Sequence, residues 1–497
     1  MPFQRVDALI ILADALSYLG RNNESLKVID ECESILGTLK QEPFTKIAKR
    51  ESLLIHRKGE ISWTRGNLDE ALMYFQQNLS LRKKMGSKRG IAEAQVNIAV
   101  VYWAKGELDL ALEYSHKALV LYDEIGDKKG TAVAFNTIGA VYHTKGDLIR
   151  ALPYFNRSLT LFEEVGSKQD VARLLSNIGY NYSHKGELNQ ALKYYETSLD
   201  LLRKIASKHE VASSLGNIGE IYRQKGDLYL ALEHFKESLA LLEEAGNDFY
   251  KSKTLFQLIS ATLDKHSSES SKEANNYLEY LKRINEKNEN KVISQRCRIA
   301  EALVLKKSAR IRNLAKAEGL LMEIVKEEIV DHELTVMALL NLCDLFLGEL
   351  SKSDDLVNRY DILNEVEPLV DQLLDIAKQQ HSHRLLAETY VLKSKLALLE
   401  LKLQKAQQFL DLAQLNAEEG GLPRLAMNIF KEQAAFQETI ELWQERVNSN
   451  TPIKDIIELI QLENHLKVMA RQRQIDEFVL DEDYFEIVER IKKLYEK

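Results

Sequence analysis

Glycine recurs in this chain at Gly66, Gly106, Gly146, Gly186 and Gly226, once every 40 residues. The flanking text repeats with it, as RGNLDEAL, KGELDLAL, KGDLIRAL, KGELNQAL and KGDLYLAL. An alanine follows each glycine by five residues (Ala71, Ala111, Ala151, Ala191, Ala231), and a small residue precedes each alanine by twelve (Gly59, Ala99, Gly139, Gly179, Gly219). Chance does not hold such a register over five copies. A fixed period of about 20–50 residues marks an array of stacked supersecondary units, which excludes an ordinary set of independent globular domains.

Each copy reads as two helices. In 131–163 the apolar residues Val133, Phe135, Ile138 and Val141 fall at helical spacing and are followed by Gly146, a left-handed stop, and Asp147, a suitable cap for the next helix. The second helix carries Leu148, Ala151, Leu152, Phe155, Leu159 and Leu161 on one broad face, with Pro153 in its first turns, where a missing N–H is tolerated. Gly139 and Ala151 are small because the helices cross there, with Tyr142 and Phe155 filling the space on either side. One hairpin cannot bury both faces, so neighbouring copies must stack.

The combination Phe135-x2-Ile138-Gly139-x2-Tyr142 followed by Ala151-x3-Phe155 resembles the tetratricopeptide repeat. Leu175, Ile178, Gly179, Tyr182, Ala191, Tyr195 match likewise, as do Leu215, Ile218, Gly219, Tyr222, Ala231, Phe235. The period is longer than the family's 34, and the added residues lie around DEIGDKKG, EEVGSKQD and RKIASKHE. In this it resembles the long-repeat subclass of Pins-type adaptors and kinesin light chains. The resemblance implies an all-α fold, a right-handed α–α superhelix, with degenerate repeat-like hairpins in the C-terminal half. Expected boundaries are a degenerate N-terminal repeat or cap over 1–47, five regular repeats over 48–247, and a degenerate hairpin with a polar loop over 248–290. Repeat-like hairpins follow over 291–447 and capping helices over 448–497, a separate acidic tail being the alternative for the last segment. The loop is placed at the Ser-rich stretch 265–275, KHSSESSKEAN.

Composition narrows the function classes. Lys plus Arg is 67 against 75 Asp plus Glu, a net charge of −8, which argues against a globally cationic nucleic-acid protein. The basic segment 291–316 is an exception, read as charge that pairs across neighbouring helices or as a docking patch for an acidic partner or an RNA backbone. Three scattered cysteines (Cys32, Cys297, Cys343) give neither a disulfide framework nor zinc spacing and fit a reducing compartment. No stretch approaches ~20 uninterrupted apolar residues, so a cytoplasmic protein with no membrane role is expected. No phosphate-loop, nucleophile-elbow or metalloprotease motif is present, and no cofactor, metal or catalytic constellation is expected.

In a stacked two-helix array the first helices line the concave side. Groove positions recur along them, and the candidate binding residues are Arg57, Trp63, Asn97, Trp103, Asn136, Arg173, Asn177, Tyr180, Asn217, Glu220 and Arg223. Asn97, Asn177 and Asn217 are in phase; each amide offers a donor and an acceptor to an extended peptide backbone, or else bonds neighbouring helices and water. The ladder resembles the peptide-holding groove of Pins-type repeats. The carboxylate clamp of chaperone adaptors would need Lys and Asn at His56/Glu60, Val96/Val100, Asn136/Ala140 or Ser176/Tyr180, and none fits. The expected function is a non-enzymatic adaptor or scaffold binding a peptide or helix of a partner protein. A structural subunit of a larger complex and a peptide-responsive signalling regulator are the alternatives. Oligomeric state is not readable.

Overall fold

A computed structural model describes residues 2–434, apart from 19, 40, 206–207, 266, 308–309, 351–355, 400–401 and 424. The expected capping helices over 448–497 lie outside the described residues. Among those described, every regular element is an α-helix. They divide into two compact units, Met1–His143 with Arg150–Ala338, and Thr144–Ile149 with the residues from Leu339 onward.

The first unit opens with α1 (Pro2–Tyr18) and α2 (Asn22–Thr38). The regular hairpins follow as α3 (Phe44–Thr64) with α4 (Leu68–Lys84), α5 (Lys88–Lys105) with α6 (Leu108–Ile125), α7 (Lys128–Thr144) with α8 (Leu148–Val165), α9 (Lys168–His184) with α10 (Leu188–Ile205), and α11 (Lys208–Lys225) with α12 (Leu228–Ala245). Glycine ends these helices as the spacing predicts. Gly106 has φ +80° and Gly126 φ +68°, and the turn after α5 closes with Gly106 N–H donating to Trp103 O (3.0 Å) and Glu107 N–H to Tyr102 O (2.9 Å). That bond pair satisfies carbonyls the helix leaves open and requires a left-handed residue.

The small residues sit where the helices cross. A Cβ at Gly59 would lie 2.7 Å from the Phe75 ring, and the same distance separates Gly139 from Phe155 and Gly219 from Phe235. Beside each crossing runs a second tie that the sequence reading missed. The buried hydroxyls of Ser158, Ser198 and Ser238 donate to the carbonyls of Ala132, Ala172 and Ala212 at 2.7, 2.6 and 2.8 Å, always 26 residues back.

Beyond Gly246 the hairpins continue as α13 (Asp248–Leu263) with α14 (Ser268–Glu286) and α15 (Lys291–Lys306) with α16 (Ile311–Lys326), and α17 (His332–Leu350) begins the next. The Ser-rich stretch expected as a loop is instead mostly helix. Ser267 and Ser270 cap each other's backbone N–H at 3.0 and 3.1 Å, so these serines start α14 rather than interrupt the chain. At position 259, in phase with Gly139 and Gly219, stands buried Ile259, in a cluster with Ala274 and Leu278 of α14.

This unit also makes contacts far apart in sequence. Asn290 caps α15 through Val292 and Ile293 N–H, and its Nδ2 donates to Thr64 O at 2.8 Å; Lys291 N–H donates to Arg65 O at 3.0 Å. Val330 lies so close to Gly66 that a Cβ there would meet it at 2.3 Å, and His332 Nδ1 is 3.3 Å from Ala104 O. The turns after α3 and α5 therefore carry the starts of α15 and α17.

The second unit contains α18 (Leu356–Gln379), α19 (His383–Leu399) and α20 (Leu403–Glu419). Its core joins Leu148 to Ala387, Ala397, Ala406, Leu410, Ala413 and Ala417. His383 N–H donates to Lys145 O at 2.7 Å, and Leu148 N–H to Gly420 O at 3.3 Å. No described helix is long and apolar enough to cross a membrane.

Candidate functional site

The side chains named as groove candidates lie on α3, α5, α7, α9 and α11, within the first unit. Their spacing brings the same face of successive helices together. Asn97 Nδ2 lies 3.1 Å from His56 Nδ1, and Asn177 Nδ2 donates to Asn136 Oδ1 at 2.8 Å, each pair 41 residues apart. Gln257 on α13 continues the row by donating to Gly216 O at 3.3 Å, again 41 residues back. These bonds tie α3 to α5, α7 to α9 and α11 to α13 along the candidate wall that runs from α3 to α13. Two amides of the asparagine ladder thus spend a donor on the neighbouring helix, whereas Asn217, half-buried, makes no side-chain hydrogen bond among the described residues.

The charged candidates are balanced locally. Arg57 bonds Asp14 at 2.7 Å and also Glu60. Burial alone would raise the Glu60 carboxyl, but hydrogen bonds and charge from His56 and Arg57 hold it below the ordinary value. Arg173 pairs with Glu210. Arg223 meets Glu220 at 2.9 and 3.0 Å and Asp264 at 2.7 Å; burial opposes its cation, yet these two carboxylates raise its pKa.

The aromatic candidates divide. Trp63 is 36 % exposed, while Trp103 is partly buried against Leu108, Ala111 and Val141 and so serves the core as much as the surface. Tyr180, 41 % exposed, belongs to a three-ring group with His143 and His184, whose centroids are 4.3–4.6 Å apart. His184 was missed in the sequence, although its 41-residue step from His143 is the signal that would have found it. Lys253 and Arg296 were also missed as wall residues. Lys253 lies 40 residues beyond Ser213, in phase with Arg173, but past Gly246 no glycine turn marks the repeat.

The basic segment 291–316 resolves largely into pairs. Arg298 bonds Glu327 at 2.6 and 2.7 Å, Lys316 bonds Glu301 at 2.6 Å, and Lys291 lies 3.5 Å from Glu328. Arg296 is the departure, since none of its contacts is a carboxylate: its guanidinium lies over the Phe249 ring at 4.6 Å and bonds Phe249 O and Ser252 Oγ.

Residues 90–164 and 170–244 match the family model for the tetratricopeptide repeat. No curated protein matches the chain by sequence. Among solved structures, a Rap protein complexed with competence and sporulation factor is 14 % identical, with 76 % of this chain and 99 % of that one covered and a TM-score of 0.48. The apo form of the quorum sensor NprR from B. thuringiensis is 16 % identical over 75 % and 99 % of the two chains, with a TM-score of 0.45. A putative kinesin light chain of Podospora anserina is 15 % identical over 40 % and 96 %, with a TM-score of 0.32. The repeat residues, the family match and the stacked helical hairpins identify residues 90–244 as tetratricopeptide repeats.

Proposed function

We propose that the chain is a non-enzymatic adaptor that binds an extended peptide segment of a partner protein along the wall from α3 to α13. The observation that carries this reading is the row of amides in register on successive helices, which includes the unspent amide of Asn217 and is flanked by exposed Trp63 and Tyr180. A peptide backbone in extended form needs alternating donors and acceptors at regular spacing, and aromatic side chains supply contact area at low entropic cost. The wall's own arginines are neutralised by its own acids, so they order the surface rather than await a ligand.

The test is selection of a phage-displayed random dodecapeptide library on the full chain, followed by fluorescence anisotropy of the recovered peptides. Tyr180→Ala with Asn217→Ala should weaken them at least about tenfold, ~1.4 kcal/mol, with an unchanged melting curve. Recovered peptides that bind the double variant as well as the parent chain overturn the reading. A partner complex from native extract that survives the same double variant would favour a structural subunit instead.

A further inference from the structure

Along α3 to α11 the wall's arginines are answered by carboxylates, and on α13 and α15 that pattern stops. Lys253 holds on α13 the helix position that Arg173 holds on α9, open to solvent, and it makes no ion pair or hydrogen bond with any described residue. Arg296, on α15, reaches the same stretch of α13 through Ser252, the residue before Lys253. Arg296 is fixed in place: its guanidinium lies 4.6 Å above the Phe249 ring, and one Nη donates to Phe249 O at 3.3 Å and Ser252 Oγ at 3.1 Å. Its remaining N–H groups meet no described acceptor.

The acids within electrostatic reach do not close the account. Glu220 is held by Arg223. Asp331 accepts the N–H groups of Glu333 and Leu334 at the start of α17. Glu333 is exposed and makes no side-chain ion pair among the described residues; it attracts both cations from a distance. Two cations, one of them pre-oriented by an aromatic face and bonded to the residue that precedes the other, thus lie on neighbouring helices without a counter-ion in contact. A carboxylate placed between them would gain charge-assisted hydrogen bonds and relieve the repulsion.

We propose that Lys253 and Arg296 form the anion-binding end of the wall, and that the bound segment is an acidic peptide presenting Asp or Glu side chains there. This rests on the groove reading above and extends it by naming the chemistry of the partner.

The probe is a hexaglutamate peptide, capped at both ends and labelled with fluorescein, beside a hexaglutamine peptide with the same caps and label. The full chain should bind hexaglutamate at least about tenfold more tightly, as expected of hydrogen bonds to charged groups. Lys253→Gln, whose side chain holds nothing in the fold, should remove most of that preference, and Lys253→Gln with Arg296→Gln all of it. Glu333→Gln should tighten binding, and Arg312→Gln, an exposed cation on α16, should leave it within about twofold. Equal binding by the Lys253→Gln variant, or an equal loss with Arg312→Gln, would overturn the proposal. So would an uncapped hexaglutamine that binds as well as hexaglutamate, since it points to a chain terminus. Library peptides insensitive to Tyr180 and Asn217, with hexaglutamate binding intact, would sink the groove reading alone. Groove-dependent neutral peptides with no hexaglutamate binding would sink the anion site alone.

Discussion

The stretch from α3 to α12 and the stretch from α13 to α17 build the same helical hairpin from different chemistry. In the first, a left-handed glycine follows every helix except α10, and a glycine faces an aromatic ring at every hairpin crossing except that of α5 with α6, where Ala99 stands. In the second, no glycine serves either purpose. Four of the five helices there begin at side chains that accept backbone N–H groups, α16 being the exception: Asn247 for Phe249 and Tyr250, Ser267 for Ser270, Asn290 for Val292 and Ile293, and Asp331 for Glu333 and Leu334. The crossing holds Ile259 in a cluster with Leu278. Side-chain caps also start helices in the first region, where Ser87, Asp127 and Asp227 accept from Gly90, Gly130 and Leu230 N–H, so the lesson lies in how the helices stop: at a left-handed glycine in one region and without one in the other.

Substitutions at matched positions can break that comparison. The largest effect belongs to the crossing. Gly139→Val drives methyl groups into a ring that would already lie 2.7 Å from a Cβ, and should cost about 3 kcal/mol, whereas Ile259→Val at the same repeat position should cost about 1 kcal/mol. Urea midpoints of the two variants measure the contrast, and equal losses would mean that the crossings are not chemically distinct.

The turn glycines come next. Gly126→Ala meets open space, so only its φ of +68° is penalised, at about 1–2 kcal/mol. Gly66→Ala has φ +80° and also the side chain of Val330 at 2.3 Å, and should lose about 1 kcal/mol more in the same titration. If the two variants unfold alike, the contact with Val330 carries no weight.

The smallest effect separates the helix starts. Asn247→Ala removes a side-chain cap and should cost about 1 kcal/mol. Glu107→Ala, at an N-cap position with no side-chain cap bond, should stay within about 0.5 kcal/mol. Thermal melts of the pair decide it, and a larger loss for Glu107→Ala would reverse the distinction drawn here.

How much of this could be read from the sequence follows the same divide. Gly106 and Gly139 were legible because a steric requirement leaves one residue type at a fixed place, and repetition makes that place visible. The serine row at Ser158, Ser198 and Ser238 has the same period, yet a buried hydroxyl resembles a surface one until its acceptor is located. The asparagine ladder was legible as a row but not in its bonding, because the choice between a neighbouring helix and a ligand depends on how adjacent helices are rotated. Past residue 247 the N-caps Asn247 and Asn290 are 43 residues apart, so a count in forties reaches Lys253 but loses Arg296. The Ser-rich run around Ser267 was misread for a related reason: polarity marks a loop and a helix start equally well, and only the reciprocal bond separates them.

The junction of Asn290 and Lys291 with the turn at Thr64 and Arg65 changes how the first unit comes apart. In a linear array each repeat leans on its neighbours alone, so the ends open first and the loss spreads inward. Here an early turn is bonded to a helix 226 residues further on. Opening α3 therefore exposes the start of α15 as well, and the interval between them is fastened at both limits. Backbone amides of α3 should exchange with solvent at the pace of the unit's interior rather than at that of a frayed end.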